Sequence, residues 1–480
     1  MNRLKYASAA ALLALAACAV GPDYQTPDPK MPGDWSEKGS DLDPATSRVT
    51  AQAAQVAEWW KAFQDPVLTS LVERAAQDNL DLRIAESRVR EARGLRGVTA
   101  GALLPSVNAG AGYSRNRLSE NVPLPGAGQQ GNFYQAGFDA AWEIDVFGGN
   151  RRSIEAADAD VDATVEARRD VLVTLLGEVG RNYLELRGLQ AQLAIARQNL
   201  EAQKKTLELT QARFQAGRAA ELDVVRAQAQ VSTTASTIPV LESQRIQATH
   251  RLAVLLGRRP DALRGELVNA AAIPAPPPEV PVGLPSELLL RRPDLRRAER
   301  ELAAATARIG VATAELYPKF SLTGFFALES VKASDFAKWG SRAWSVGPTI
   351  QWSLFQGGRI RARIEVENAR QEQAAIVYEK SILVALQEVE DALIAYAKEQ
   401  AHRAELSDSV AANLKAVDLA NQRYTQGLVD FLSVLDAQRS LYVTQDALVQ
   451  SERQISQDLV ILYKALGGGW EREAGGEQGR

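Results

Sequence analysis

The chain repeats itself, and this repetition bounds its fold more tightly than any other feature. Residues 213–228, RFQAGRAAELDVVRAQ, align with 423–438, RYTQGLVDFLSVLDAQ, at an offset of 210. Arg213/Arg423, Gly217/Gly427, Leu222/Leu432, Val224/Val434, Ala227/Ala437 and Gln228/Gln438 are identical pairs. The same offset matches Leu252, Leu256 and Gly257 with Leu462, Leu466 and Gly467. Asp81-Leu82-Arg83 matches Asp294-Leu295-Arg296 at an offset of 213, with Leu104-Pro105 and Tyr317-Pro318 on that register. Phe147-Gly148-Gly149 and Phe355-Gln356-Gly357-Gly358 complete the pattern with a small slip. A tandem duplication over 66–257 and 286–467 is the expected organisation. An N-terminal segment, 18–65, precedes it. A linker over 258–285, Pro-rich from 274, joins the halves, and a flexible tail over 468–480 follows.

Each half reads as helix, two strands, long helix, turn, helix. The first half places strands at 106–119 and 132–146, a long helix at 149–216 and a helix at 219–257. The second places strands at 319–328 and 344–354, a long helix at 359–426 and a helix at 428–466. Neither long segment contains a proline. Leu186, Leu189, Leu193, Ala196, Leu200, Leu207 and Phe214 form a heptad seam, carried at offset 210 onto Val410, Val417 and Tyr424. Such a seam predicts coiled-coil packing, and each long helix would run roughly 100 Å. Segments 219–257 and 286–316 stacked end to end would match one long helix; 428–466 and 66–102 would match the other. Gly217 and Gly427 stand where each long helix must reverse.

The strands alternate strongly. Tyr134, Ala136, Phe138, Ala140, Trp142 and Ile144 oppose Gln135, Gly137, Asp139, Ala141, Glu143 and Asp145. Val107, Ala109, Ala111 and Tyr113 share one face, as do Phe320, Leu322, Phe326 and Leu328, and Trp344, Val346, Ile350, Trp352 and Leu354. A two-sided soluble sheet shows the same period over one strand. Aromatic-ended alternation in a secreted chain reads as membrane barrel wall. Four strands cannot close a barrel, and open edges in lipid leave backbone groups unsatisfied. At least two chains must pool their strands.

The N-terminus fixes the compartment. Arg3 and Lys5 precede an apolar run, so 1–17 reads as a secretory signal, too short to span a bilayer. It ends in Leu15-Ala16-Ala17-Cys18, which matches a bacterial lipobox and makes Cys18 the expected lipid attachment site. Ala19 at the next position suggests sorting to the outer membrane.

Reactive chemistry is scarce. Cys18 is the one cysteine, and His250 and His402 are the only histidines, so a catalytic or zinc constellation built on these residues is not expected. No nucleophile–base pairing or phosphate loop stands out, and the reading is no enzyme and no cofactor beyond covalent lipid. A net charge of −4 gives no reason to expect nucleic acid.

Gly21-Pro22-Asp23-Tyr24 and Pro27 after Cys18, the duplicated RF/RYxxG turn with LDAQR, and the Phe-x-Gly-Gly-x-Arg segment resemble one family. These are the outer-membrane efflux proteins of the TolC type, nearest the OprM-like lipoprotein branch, the NodT group. The resemblance implies a mostly α fold with a membrane β-barrel contribution: a homotrimer pooling four transmembrane strands per chain above a helical periplasmic tunnel. It implies a periplasmic adaptor and an inner-membrane pump of the RND class as partners, in the outer membrane of a Gram-negative bacterium. It also implies a periplasmic gate at Leu432 and Asp436, supported by Tyr424 and Arg439, with adaptor docking around Gly217 and Gly427. Ser433 departs from the pattern, since relatives place a second acidic residue there. From the residues alone, the other readings are ordinary coiled-coil core for Leu432 and a solvated surface carboxylate for Asp436. The exit duct of a type I secretion system and a structural coiled-coil lipoprotein are the alternative readings, and the substrate is not legible.

Overall fold

A computed structural model describes residues 19–36, 48–50, 52, 56–123, 125 and 127–470. The expected signal, Cys18 and the tail from 471 lie outside the described residues. In chain order the elements are β1 (Arg48–Thr50), α1 (Pro66–Asp78), α2 (Leu80–Gly101), β2 (Ser106–Arg117), β3 (Gln130–Ile144), α3 (Gly149–Gln215) and α4 (Glu221–Leu255). There follow β4 (Glu279–Pro281), α5 (Leu288–Arg291), α6 (Pro293–Ala314), β5 (Lys319–Ser330), β6 (Arg342–Gln351), α7 (Arg359–Thr425) and α8 (Phe431–Ala465). The duplication is visible in the lengths: α3 and α7 have 67 residues each, α4 and α8 have 35 each. The chain forms two compact units, one of Met1–Asp28, Arg88–Val165 and Arg297–Glu379, the other of Pro29–Ser87, Glu166–Arg296 and Lys380–Arg480.

The first unit holds an antiparallel sheet in the order β2-β3-β5-β6. Its register sets Phe138 opposite Phe326 and Trp142 opposite Leu322. That face is bare: Val107, Phe138, Phe326, Trp344 and Ile350 are all exposed. The other face is polar, with Asn108 donating to Asp139 at 3.0 Å and Gln135 to Glu329 at 3.2 Å. Trp142 donates its indole N–H to the Leu103 carbonyl at 2.8 Å, and Trp352 to that of Leu316 at 3.0 Å. This repeat-equivalent pair ties each sheet half to the turn trailing the preceding helix, and β6 stops at Gln351 rather than 354. Pro348 lies inside β6, tolerated because an edge strand leaves one side of its ladder unpaired.

In the second unit the shorter helices stack differently from the expected pairing. The helix expected over 66–102 is two helices broken at Asn79, and that over 286–316 breaks at Arg292, where Pro293 cannot continue the preceding turn. Asn79 Nδ2 donates to the last carbonyl of α4, Leu255 O, at 2.8 Å. Arg292 Nη1 donates to the last carbonyl of α8, Ala465 O, at 3.0 Å. So α4 abuts α2 and α8 abuts α6, the reverse of the expected assignment. Length could not distinguish the two pairings; the orphan carbonyls at the helix ends do.

The linker over 258–285 is packed: Leu263, Leu267, Val280 and Val282 are buried, and β4 pairs in parallel with β1. One further expectation is corrected here. The tail does not begin at 468, because Gly469 N donates to Val56 O at 3.0 Å and Trp470 Nε1 to Arg291 O at 3.0 Å. Arg169 and Arg296 each lie over the Trp470 ring. The core of this unit holds Trp59, stacked on Tyr463 at 5.9 Å, with Leu176, Tyr183, Leu184 and Leu252 also fully buried.

Candidate functional site: the paired helical turns

Both long helices end in the same way. Gly217 has φ +67° and Gly427 φ +77°, a conformation costly for any residue with a Cβ. Gly217 N donates to Phe214 O and Arg218 N to Arg213 O; Gly427 N donates to Tyr424 O and Leu428 N to Arg423 O. Each is a Schellman closure that satisfies carbonyls the helix leaves free. Beyond the second turn, Asp430 caps α8: its carboxylate accepts from Ser433 N at 3.2 Å and Ser433 Oγ at 2.9 Å. Ser433 therefore completes a cap here.

The two turns are not equivalent in packing. Tyr424, Phe431, Val434 and Leu435 from the second repeat form a buried cluster with Leu207 and Ala227 from the first. Tyr424 and Phe431 meet at 5.6 Å between ring centroids. Two first-repeat counterparts are open, Phe214 being exposed and Glu221 standing where Phe431 fills the core, while Val224 packs half-buried against the cluster. Arg213 joins the turns, its guanidinium 4.6 Å over the Tyr424 ring and its Nη1 donating to Thr425 O at 3.0 Å.

The expected gate residues occupy a different surface. Leu432 is 41% exposed, and Asp436 and Arg439 are exposed on the same stretch of α8, one helical turn apart. Leu432 is thus outside the buried cluster of this chain. Tyr424 is buried at 4%, and no partner for its hydroxyl is present among the described residues. It belongs to the packed interior of the turn, apart from the Leu432–Asp436 face.

Sequence reading missed a polar ladder between α3 and its neighbours. Glu185 pairs with Arg453 at 3.0 Å, Gln192 donates to Asp446 at 2.8 Å, and Asn199 to Gln445 at 2.9 Å. Gln438 donates to Thr206 at 2.9 Å, and Arg213 reaches Thr425. The α3 positions recur every seven residues, one flank of the same heptad that supplies the apolar seam. The signal was present as spacing, but polar residues at helix flanks are ordinarily solvated, so nothing in the sequence singled them out.

Away from the turns, Tyr183 donates to Asp65 at 2.6 Å and accepts from Arg187 Nε at 3.0 Å; burial first, then the Asp65 bond, pushes its hydroxyl above the usual range. Burial alone pushes Tyr463 up to about 12. Among the described residues there is no cluster that could hold a metal ion and no helix long and apolar enough to cross a membrane.

The outer membrane efflux protein model matches residues 71–258 and 284–468. The chain belongs to the outer membrane efflux protein family. Among its relatives in that family, it is 34% identical over 465 residues to the solvent efflux pump outer membrane protein SrpC of Pseudomonas putida, covering 96% of this chain and 97% of that one. It is 35% identical over 441 residues to the pyoverdine export outer membrane protein OpmQ of Pseudomonas aeruginosa, covering 89% and 90%. Its fold is similar to the solved outer-membrane channel OprN, with a TM-score of 0.87, 39% identity and coverage of 94% of this chain and all of that one. As an outer membrane efflux protein the chain is a transport component of the Gram-negative outer membrane, in a family of channels rather than enzymes.

Proposed function

We propose that the chain is one protomer of the exit duct of a tripartite efflux pump, a homotrimer passing small molecules outward through pooled β-strands. The observation that carries this reading is the four-stranded sheet, which has a bare apolar face, a polar face and unpaired edges at β2 and β6. A lipid-facing sheet must satisfy those edges, and neighbouring copies do so at no cost in new sequence. SrpC and OpmQ are named for solvent efflux and pyoverdine export, which supports apolar or organic small molecules as cargo.

The duct receives cargo from an inner-membrane RND-type pump and a periplasmic adaptor that docks around Gly217 and Gly427. The open Phe214, Leu222 and Val225 of the first turn favour that docking. Leu432 and Asp436 form the periplasmic gate: an apolar ring excludes water and a carboxylate ring favours cations. Tyr424 supports the gate from the buried cluster and Arg439 from the exposed face. Lipid on Cys18 tethers the chain to the outer membrane, and the two repeats, 66–257 and 286–467, supply equivalent halves of the wall.

Purified protein in planar bilayers, with its mass measured after cross-linking, tests the reading. Conducting trimers are expected. A monomer that never conducts, even with the tip residues substituted, contradicts it.

A further inference from the structure

The Gly21-Pro22-Asp23-Tyr24 stretch is gripped more closely than a tether requires. Val20 N donates to Phe147 O at 3.1 Å, adding a residue of the N-terminal segment to the point where β3 gives way to α3. Arg152, only 4% exposed, donates to Val20 O at 3.2 Å, Gly21 O at 3.4 Å and Asp23 Oδ1 at 2.6 Å, and its remaining arm holds Glu155 at 2.7 Å. A guanidinium fork suits this work, because one planar group serves four acceptors at once. Gly21 has φ +94°, and a side chain on Gly310 would strike both Arg152 and the Val20 carbonyl. Tyr24 packs on Ala159, Ala303 and Ala304, donates to Glu299, and lies under the Arg300 guanidinium at 5.7 Å.

We propose that this clasp is a positioning site for the lipid anchor, with Arg152 the positioning residue: it fixes the segment after Cys18 to the strand–helix junction, so anchor and strands enter the membrane in register. The proposal rests on the reading of Cys18 as the lipid attachment site. A freely swinging tether would concentrate the chain at the membrane without orienting it. A clasped one sets the depth at which Phe147 and the β3 end meet the lipid surface, removing orientational freedom before strands from different chains must pair. Because its contacts join residues more than 120 apart, the clasp forms only once this unit has folded.

The test is a two-by-two comparison in cells. Arg152→Ala is placed in the native chain and in a Cys18→Ala chain exported with an unlipidated signal, and the oligomer fraction in outer membranes is measured. Palmitate labelling of each chain reports separately on the lipid reading; an unlabelled native chain removes that reading and this proposal with it. With label present at Cys18, Arg152→Ala is expected to lower the oligomer several-fold, and to change little where the lipid is already missing. Asp23→Ala, at a residue whose side chain is 86% exposed, is expected to act in the same direction without threatening the fold. Equal losses in both backgrounds would make Arg152 a packing residue only, and no loss in either would likewise overturn the proposal.

Discussion

The Arg213 guanidinium lies 4.6 Å over the Tyr424 ring and donates to the neighbouring Thr425 carbonyl at 3.0 Å. The end of the first long helix thereby grips the end of the second. Removing the guanidinium with Arg213→Ala should cost about 2–4 kcal/mol locally, the sum of a cation–π contact and one charge-assisted bond. Faster proteolysis at the exposed turn 426–430, with the melting temperature of the whole chain little changed, is the expected outcome. Tyr424→Phe should do the opposite or nothing, because its buried hydroxyl has no partner among the described residues.

The polar ladder along α3 is expected to part more readily than an apolar seam would. Hydrogen-bonded polar groups lose little when water replaces their partners, whereas an apolar seam would resist parting. Replacing Gln192 and Asp446 together by Leu should therefore stabilise the closed bundle, raising its melting temperature and lowering conductance. A lower melting temperature in the double variant would show that the Gln192–Asp446 bond is the stronger of the two arrangements.

Much of this was legible in the sequence because repetition and period are global signals. The offset of 210 located both turns, Gly217 and Gly427, and period-two alternation found every strand of the four-stranded sheet. What sequence could not supply was partner choice. Helix lengths allowed two end-to-end pairings, and only the Asn79–Leu255 and Arg292–Ala465 bonds select one. The family pattern likewise made Ser433 look like a missing carboxylate, although its hydroxyl bonds Asp430. Long-range side-chain contacts such as Arg152 with Asp23 leave no local trace at all.

One buried and one half-buried carboxylate, Asp458 and Asp294, should give opposite pH responses. Burial raises the Asp458 pKa above its usual value, with nearby Glu399 adding to the shift, so its penalty is absent below the unfolded pKa and grows as pH rises through the folded one. Asp458→Asn should stabilise the chain at neutral pH, the gain vanishing in acid. Asp294 is lowered: burial opposes this, but the Arg292 bonds at 2.7 and 3.0 Å prevail. Its contribution is present above the usual carboxylate range and lost as pH falls through the folded pKa. Asp294→Asn should cost about 2–3 kcal/mol at neutral pH, since it weakens the hold on buried Arg292. Thermal melts of both variants between pH 3 and 8 check the signs.

The Asp430 cap should matter to the second turn alone. Asp430→Ala should cost about 1 kcal/mol, having freed the Ser433 amide. Ser433→Ala, which keeps that amide bond, should cost less, as hydrogen exchange over 428–436 would show.

We propose that the exposed Leu432–Asp436 face of α8 closes an export duct. Single-channel conductance of the Leu432→Ala, Asp436→Ala double variant in planar bilayers tests it most directly. A several-fold rise over the native oligomer is predicted. Native-like conductance in a correctly assembled double variant would contradict the account.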